Sequence, residues 1–167
     1  MSPLRITSFL AVSVLLVLVT TYVVEGKTHS SSAWNDRIDW VHWDQALDTA
    51  KEQNKPVFML IHKSWCAACK ALRSKFVASP EIELLSEHFV MTAVEDDDEP
   101  SDEKYSPQGS YSPRIMFLEP SGEVAGVTNR VVIDPAHLHF YGTAEEIVAA
   151  MLEALKSISG VTDVDEL

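Results

Sequence analysis

The stretch that decides the fold reads Val57-Phe58-Met59-Leu60-Ile61-His62-Lys63-Ser64-Trp65-Cys66-Ala67-Ala68-Cys69-Lys70-Ala71-Leu72. Its opening residues, Val57 to Ile61, form a continuous apolar run that begins after the breaker Asn54-Lys55-Pro56. That length and composition suit a central strand buried on both faces. Ser64 and Trp65 then turn the chain into a helix expected from Cys66 to about Val77, with Leu72 and Phe76 inward. Cys66 and Cys69 are the only cysteines in the chain. Three positions apart at a helix start, two thiols can close a disulfide with little backbone movement. The first of them faces the positive end of the helix dipole, which favours its thiolate. Both cysteines are spent on one short loop that staples almost nothing, so the pair points to redox chemistry rather than to stability.

Working outward, Asp44 is expected to cap a helix running to about Gln53, with Leu47 and Ala50 on its inner side. Pro80 opens a shorter helix through His88, and Phe89 to Val94 reads as a second strand. Glu95-Asp96-Asp97-Asp98-Glu99-Pro100-Ser101-Asp102-Glu103 follows. It lacks the spaced ligands and the glycine of a calcium loop, so it reads as a solvated charge run, with weak, low-specificity Ca²⁺ association as the alternative. Tyr111-Ser112-Pro113 leads into Arg114-Ile115-Met116-Phe117-Leu118, a third strand. Pro120-Ser121-Gly122-Glu123 is a turn that predicts a hairpin to Val124. Thr143-Ala144-Glu145-Glu146 reads as a capping box. It precedes a last helix with Ile147, Val148, Met151, Leu152, Leu155 and Ile158 at helical spacing. Strands alternating with helices place the chain in the α/β class.

The two ends read as addresses. Residues 1–26 carry Arg5, an apolar run from Ile6 to Val19 and a small-residue site before Lys27, the pattern of a cleaved signal peptide. The apolar run is short for a membrane span, so no stable membrane insertion is expected. The chain ends Val164-Asp165-Glu166-Leu167, close to the Lys-Asp-Glu-Leu retrieval signal of the endoplasmic reticulum. Residues 27–35 read as a flexible lead-in, 36–159 as the domain, and 160–167 as an acidic tail carrying the signal. Of 167 residues, 141 remain after residue 26, enough for one domain with a single core. A formal charge of −12 argues against nucleic acid as a partner.

A strand, then Trp-Cys-x-x-Cys opening a helix, a later strand preceded by x-Pro, a hairpin and a terminal helix resemble the thioredoxin fold, a central mixed sheet flanked by helices. His62 to Leu72, the acidic segment from Glu95 to Glu99, Tyr111-x-Pro113-Arg114-Ile115-x-Phe117-Leu118 and the Asp-Glu-Leu tail are together similar to small luminal relatives of protein disulfide isomerase, the group that includes the anterior gradient proteins. The resemblance implies a glutathione-linked protein-disulfide oxidoreductase of the endoplasmic reticulum lumen. Its partners would be protein clients with thiols or disulfides, glutathione as redox co-substrate, and a retrieval receptor of the Lys-Asp-Glu-Leu type. It implies no tightly bound cofactor. Cys66 would attack and Cys69 would resolve, while Trp65, Ser112 and a cis Pro113 would shape the substrate site.

The pattern departs from its relatives in two places. Ala67 stands where the family has glycine, and Leu60 stands where many thioredoxins bury an acid that handles the resolving thiol's proton. That task then falls to water or to a residue of the acidic segment. His62, where strand meets motif, reads as a buried structural residue or as a group tuning Cys66. Zinc on Cys66, Cys69, His137 and His139 is the rival chemistry. Nothing in the sequence brings those histidines to the motif, so no metal is expected. The rival function is a client-binding, chaperone-like module without net redox turnover.

Retention is the direct test of the address reading. Deleting Val164 to Leu167 should send the protein into the medium of expressing cells. Equal intracellular retention of truncated and full-length forms, read by immunoblot of cells and medium, contradicts it.

Overall fold

Apolar residues at every position from 57 to 61 leave one stable place for this segment, the middle of a sheet. The computed structural model, which describes residues 34–132 and 134–160, puts it there. Strand β1 (Val57–His62) is buried along its whole length. It pairs in parallel with β2 (Val90–Glu95) and antiparallel with β3 (Arg114–Leu118), giving the order β2-β1-β3. The register sets His62 beside Glu95 and Ile61 opposite Arg114.

Strand alternation divides the interior into two layers. Phe58 and Leu60 point into the larger core with Ile115 and Phe117. That layer is closed by Leu72 and Phe76 of α2 (Ala67–Val77), Ile82 and Leu85 of α3 (Pro80–Ser86), and Ile147 and Met151 of α4 (Ala144–Ala154). Val57, Met59 and Ile61 face the other way. They meet Ala46 and Ala50 of α1 (Trp43–Gln53), together with Met116, Leu118 and Tyr105. A mixed sheet with helices on both faces is the α/β architecture that the sequence predicts.

Several boundaries moved for identifiable reasons. The N-cap of α1 is His42, whose ring accepts from the Asp44 N–H, so Asp44 lies in the first turn instead, where its charge still meets the dipole. The segment read as lead-in is partly packed. Trp34 and Asn35 are buried, and the Trp34 ring stands edge-on to Phe76. The hairpin after β3 shrinks to one bridge, Leu118 with Val124. The outer edge of β3 is shared by two segments: the Ala125 N–H donates to the Phe117 carbonyl, and the Ile115 N–H donates to the His139 carbonyl. The capping box is half formed. Thr143 Oγ1 accepts from the Glu146 N–H, but the Glu146 carboxylate reaches the Gly142 N–H and Asn129 Nδ2. The signal segment and the carboxyl-terminal tetrapeptide lie outside the described residues. Among the described residues, no helix is long and apolar enough to cross a membrane.

Arg114 opens β3 with a fully buried side chain, and a buried guanidinium must be paired. Glu99 pairs it and also accepts from Lys63 Nζ at 2.7 Å, while Arg114 donates to the Tyr111 carbonyl. Burial pushes the Glu99 carboxyl up, but the hydrogen bonds from Lys63 and Arg114 outweigh this and hold it below the usual carboxylate range. A depressed folded-state pKa contributes stability above the unfolded value, and that contribution is lost as pH falls through the folded one. Glu99→Ala should therefore lower unfolding stability by ~3 kcal/mol near neutral pH, because the Arg114 charge is left unpaired. Urea melts should show the deficit narrowing below the ordinary carboxylate range. A variant as stable as the parent contradicts the pairing.

Candidate active site

The C-terminal ends of β1 and β2 and the start of β3 come together at one edge of the sheet, and the cysteines lie there. Cys66 is the N-cap of α2, with extended backbone (φ −74°, ψ 117°), and its sulfur accepts the Cys69 N–H at 3.1 Å. A first-turn N–H has no partner inside the helix, so the sulfur takes the place that a serine or aspartate oxygen usually fills. The two sulfurs are joined as a disulfide. In the dithiol form the same N–H and the helix dipole would stabilise negative charge on Cys66.

The sequence places Cys66 at an exposed helix start. Its neighbours Trp65, Ala67 and Ala68 are exposed, but Cys66 itself is only 7% accessible, against 3% for Cys69. The cover comes from the segment before β3: the Ser112 carbonyl oxygen lies 3.5 Å from Cys66 Sγ. The Ser112–Pro113 peptide is cis, as expected from the resemblance. Trp65 is 76% exposed, an apolar platform beside the buried sulfurs. The structure thus brings Cys66, Cys69 and Ser112 together, sets Pro113 next in chain, and leaves Trp65 at the rim.

The acidic segment is the part the sequence did not reveal. Asp97 and Asp98 are exposed, as a solvated run should be, while Glu95, Asp96 and Glu99 are half-buried. Asp96 adopts a left-handed backbone (φ 52°), and its carboxylate accepts the Ser64 N–H at 2.9 Å. That backbone hydrogen bond holds the Asp96 carboxyl below its usual range. Lys63 Nζ donates to the Asp96 carbonyl at 2.6 Å. With the Glu99 pair, these bonds fasten the loop before Cys66 to the loop after β2. One signal was present in the sequence: Arg114 is the lone charge in an apolar strand and needed a buried acid.

His62 is buried, with its ring edge-on to Trp34 at 5.3 Å between centroids. Its Nδ1 is 3.8 Å from a Glu95 carboxylate oxygen. Burial pushes its pKa below the ordinary histidine value, against the raising influence of Glu95 and Asp96. His137 and His139 belong to the segment around Tyr111: the His137 ring meets the Tyr111 ring, and the His139 N–H donates to the Tyr111 hydroxyl. Among the described residues, no cluster of three or more side chains could hold a metal ion. A groove of about 660 Å³ between α3 and α4, lined by Pro80, Val148 and Leu152 among others, includes neither cysteine.

Residues 39–120 match a family described as thioredoxin-like. Anterior gradient protein 3 of Xenopus tropicalis is 39% identical over 103 residues, covering 60% of this chain and 62% of that protein. The anterior gradient protein 2 homolog of Homo sapiens is 37% identical over 102 residues, covering 60% of this chain and 57% of its own. The matched region therefore spans about three fifths of these relatives' lengths. A thioredoxin from Thermus thermophilus, solved in solution, superposes with a TM-score of 0.52 over 72% of this chain and 89% of that one, at 19% identity, which is a likeness of fold. The fold is thioredoxin-like, anterior gradient proteins are among the homologues, and the Cys-x-x-Cys pair sits at the helix start.

The N-cap geometry separates the two thiols. In the reduced protein, iodoacetamide should modify Cys66 at least roughly tenfold faster than Cys69 at pH 7, because about one unit of thiol acidity is tenfold in thiolate. Peptide mapping after timed quenches measures both sites. Equal rates across pH 5 to 9 contradict the assignment.

Proposed function

We propose that this domain is a protein thiol-disulfide oxidoreductase. One observation carries the reading: a disulfide whose outer sulfur is the N-cap of α2 and accepts the Cys69 N–H, beside the Ser112 carbonyl. The dithiol would reduce a client disulfide in two steps. Cys66 thiolate attacks one client sulfur, the client S–S bond breaks, and the other client sulfur leaves as a thiolate. Cys69 then attacks Cys66 Sγ, closes the internal disulfide and releases the second client thiolate. The client gains two electrons, which the Cys66–Cys69 pair loses. The reverse sequence oxidises a client dithiol, and the direction follows the couple's potential against its surroundings.

Trp65 supplies apolar surface on which an unfolded client segment can rest beside the sulfurs. The Ser112–Pro113 segment, already within reach of Cys66, is the main-chain rail along which that segment would lie. Glutathione is the proposed small co-substrate: two molecules reduce the Cys66–Cys69 disulfide and leave as one glutathione disulfide. The proposed compartment is the endoplasmic reticulum lumen, supported by the signal-like start and the Asp-Glu-Leu ending. Within the anterior gradient and disulfide isomerase group, the finer likeness we propose is to thioredoxin domain-containing protein 12, on His62 to Leu72, the acidic Glu95 to Glu99 segment, Tyr111-x-Pro113-Arg114-Ile115-x-Phe117-Leu118 and the Asp-Glu-Leu tail.

Trapping tests the function. Cys69→Ala should accumulate mixed disulfides with clients, visible as thiol-sensitive bands on non-reducing gels, because the resolving thiol is gone. Cys66→Ala should form none and fall to background in reduction of a protein disulfide. A double Cys66→Ala, Cys69→Ala variant that keeps full activity on clients would establish a binding module instead.

A further inference from the structure

The position that buries an acid in many thioredoxins is Leu60 here, fully buried among apolar side chains. Resolution still requires Cys69 to lose a proton. Strand alternation gives the lead: Phe58, Leu60 and His62 share one face of β1, the face on which α2 packs through Leu72 and Phe76, and Cys69 is buried one turn earlier in the same helix. His62 is thus two positions further along the same face, nearer the start of α2.

A pocket of about 90 Å³ has Trp34, His62, Cys69, Lys70, Arg73 and Glu95 among its lining residues. One water needs ~10–15 Å³ of such space and several polar partners, and this site offers both. His62 and Cys69 are both buried and both border it, while Lys70 and Arg73 are exposed and lead out to solvent. We propose that His62, backed by Glu95, accepts the Cys69 proton during resolution, relayed by water in this cavity. The inference rests on the oxidoreductase reading and assigns a proton-handling residue within it.

The other charged groups around His62 are poorly suited. Lys63, Lys70 and Arg73 are cations with no lone pair to offer near neutral pH. Lys63 is in addition bound to Glu99, and Asp96 is occupied by the Ser64 N–H. A Glu95 carboxylate oxygen lies 3.8 Å from His62 Nδ1, so an imidazolium once formed has a carboxylate beside it. Burial keeps the ring neutral beforehand, as an acceptor must be. The step balances. The Cys69 S–H bond breaks and its proton goes to His62. The Cys69–Cys66 S–S bond forms, and the bond from Cys66 to the client sulfur breaks, its electron pair leaving on the client thiolate. The client sulfur takes its proton from solvent, and His62 returns its own to solvent past Lys70 and Arg73.

Stopped-flow mixing of the reduced protein with a symmetric aromatic disulfide, whose released thiolate is coloured, reads both steps. Attack by Cys66 releases the first thiolate, and resolution by Cys69 releases the second. In His62→Gln the first phase should match the parent. The second should slow ~10-fold or more at pH 7 and lose its histidine inflection, the effect of removing a general base. In Glu95→Gln the inflection should move to lower pH, because the imidazolium loses its carboxylate. Variants whose second phase keeps the parental rate and pH profile overturn the inference. If His62→Gln does not fold, Glu95→Gln decides alone, and an unmoved inflection overturns it. A parent protein that releases no thiolate sinks the oxidoreductase reading and this one together. A biphasic parent with unaffected variants sinks this one only.

Discussion

A fully buried guanidinium at the head of β3 is the constraint around which the working end of the molecule is arranged. Arg114 has no exposed surface, and an unpaired charge there would cost several kcal/mol. Glu99 answers it, and Glu99 comes from the loop after β2. The same carboxylate also holds Lys63, three residues before Cys66. One acid therefore fixes the relative positions of three loops: the one entering α2, the one leaving β2, and the one that brings Ser112 against the cysteine. Those positions place a carbonyl oxygen 3.5 Å from Cys66 Sγ, so the pairing is felt at the sulfur without touching it.

The sheet supplies the rigid frame. Parallel pairing of β1 and β2 delivers His62 and Glu95 side by side at the same edge, and antiparallel pairing brings Arg114 there from the other side. Each strand is anchored by apolar residues on both faces, so the polar ends project from a core that resists sliding. Reactive groups thus hang on strand ends and one helix start. That setting suits a thiol whose attack requires near-linear approach to a disulfide. Trp34, at the start of the described chain, adds to the frame by packing edge-on to both His62 and Phe76.

Charge near the pair is divided by task. Asp97 and Asp98 face solvent and contribute to the negative surface. Asp96 caps the loop before Cys66 through the Ser64 N–H, Glu99 pairs with the buried Arg114 and the partly buried Lys63, and Glu95 stands against the buried His62. A run of acids that looks uniform in sequence is four different components in space. The reason is the left-handed turn at Asp96, which rotates successive side chains into different surroundings.

The sequence alone determined what depends on short-range periodicity and composition. The apolar run of β1, short and bounded by a breaker, suits a central strand better than a helix. Cys66 and Cys69 with Leu72 and Phe76 at helical spacing define α2 and its inner face. The order of strands and helices then fixes the α/β class, and with the motif the thioredoxin-like reading. The tertiary structure alone decided what depends on residues distant in the chain. The role of Glu99 is set by Lys63 and Arg114, both outside its own loop. The cover over Cys66 comes from Ser112, and the surroundings of His62 come from Trp34, Glu95 and α2. The packing of Trp34 and the reduction of the hairpin to one bridge belong here as well. Periodicity reports which face of an element is buried, because burial repeats with the backbone geometry. It carries no information on which distant polar group meets that face, because such pairs are chosen by how strands register and loops close.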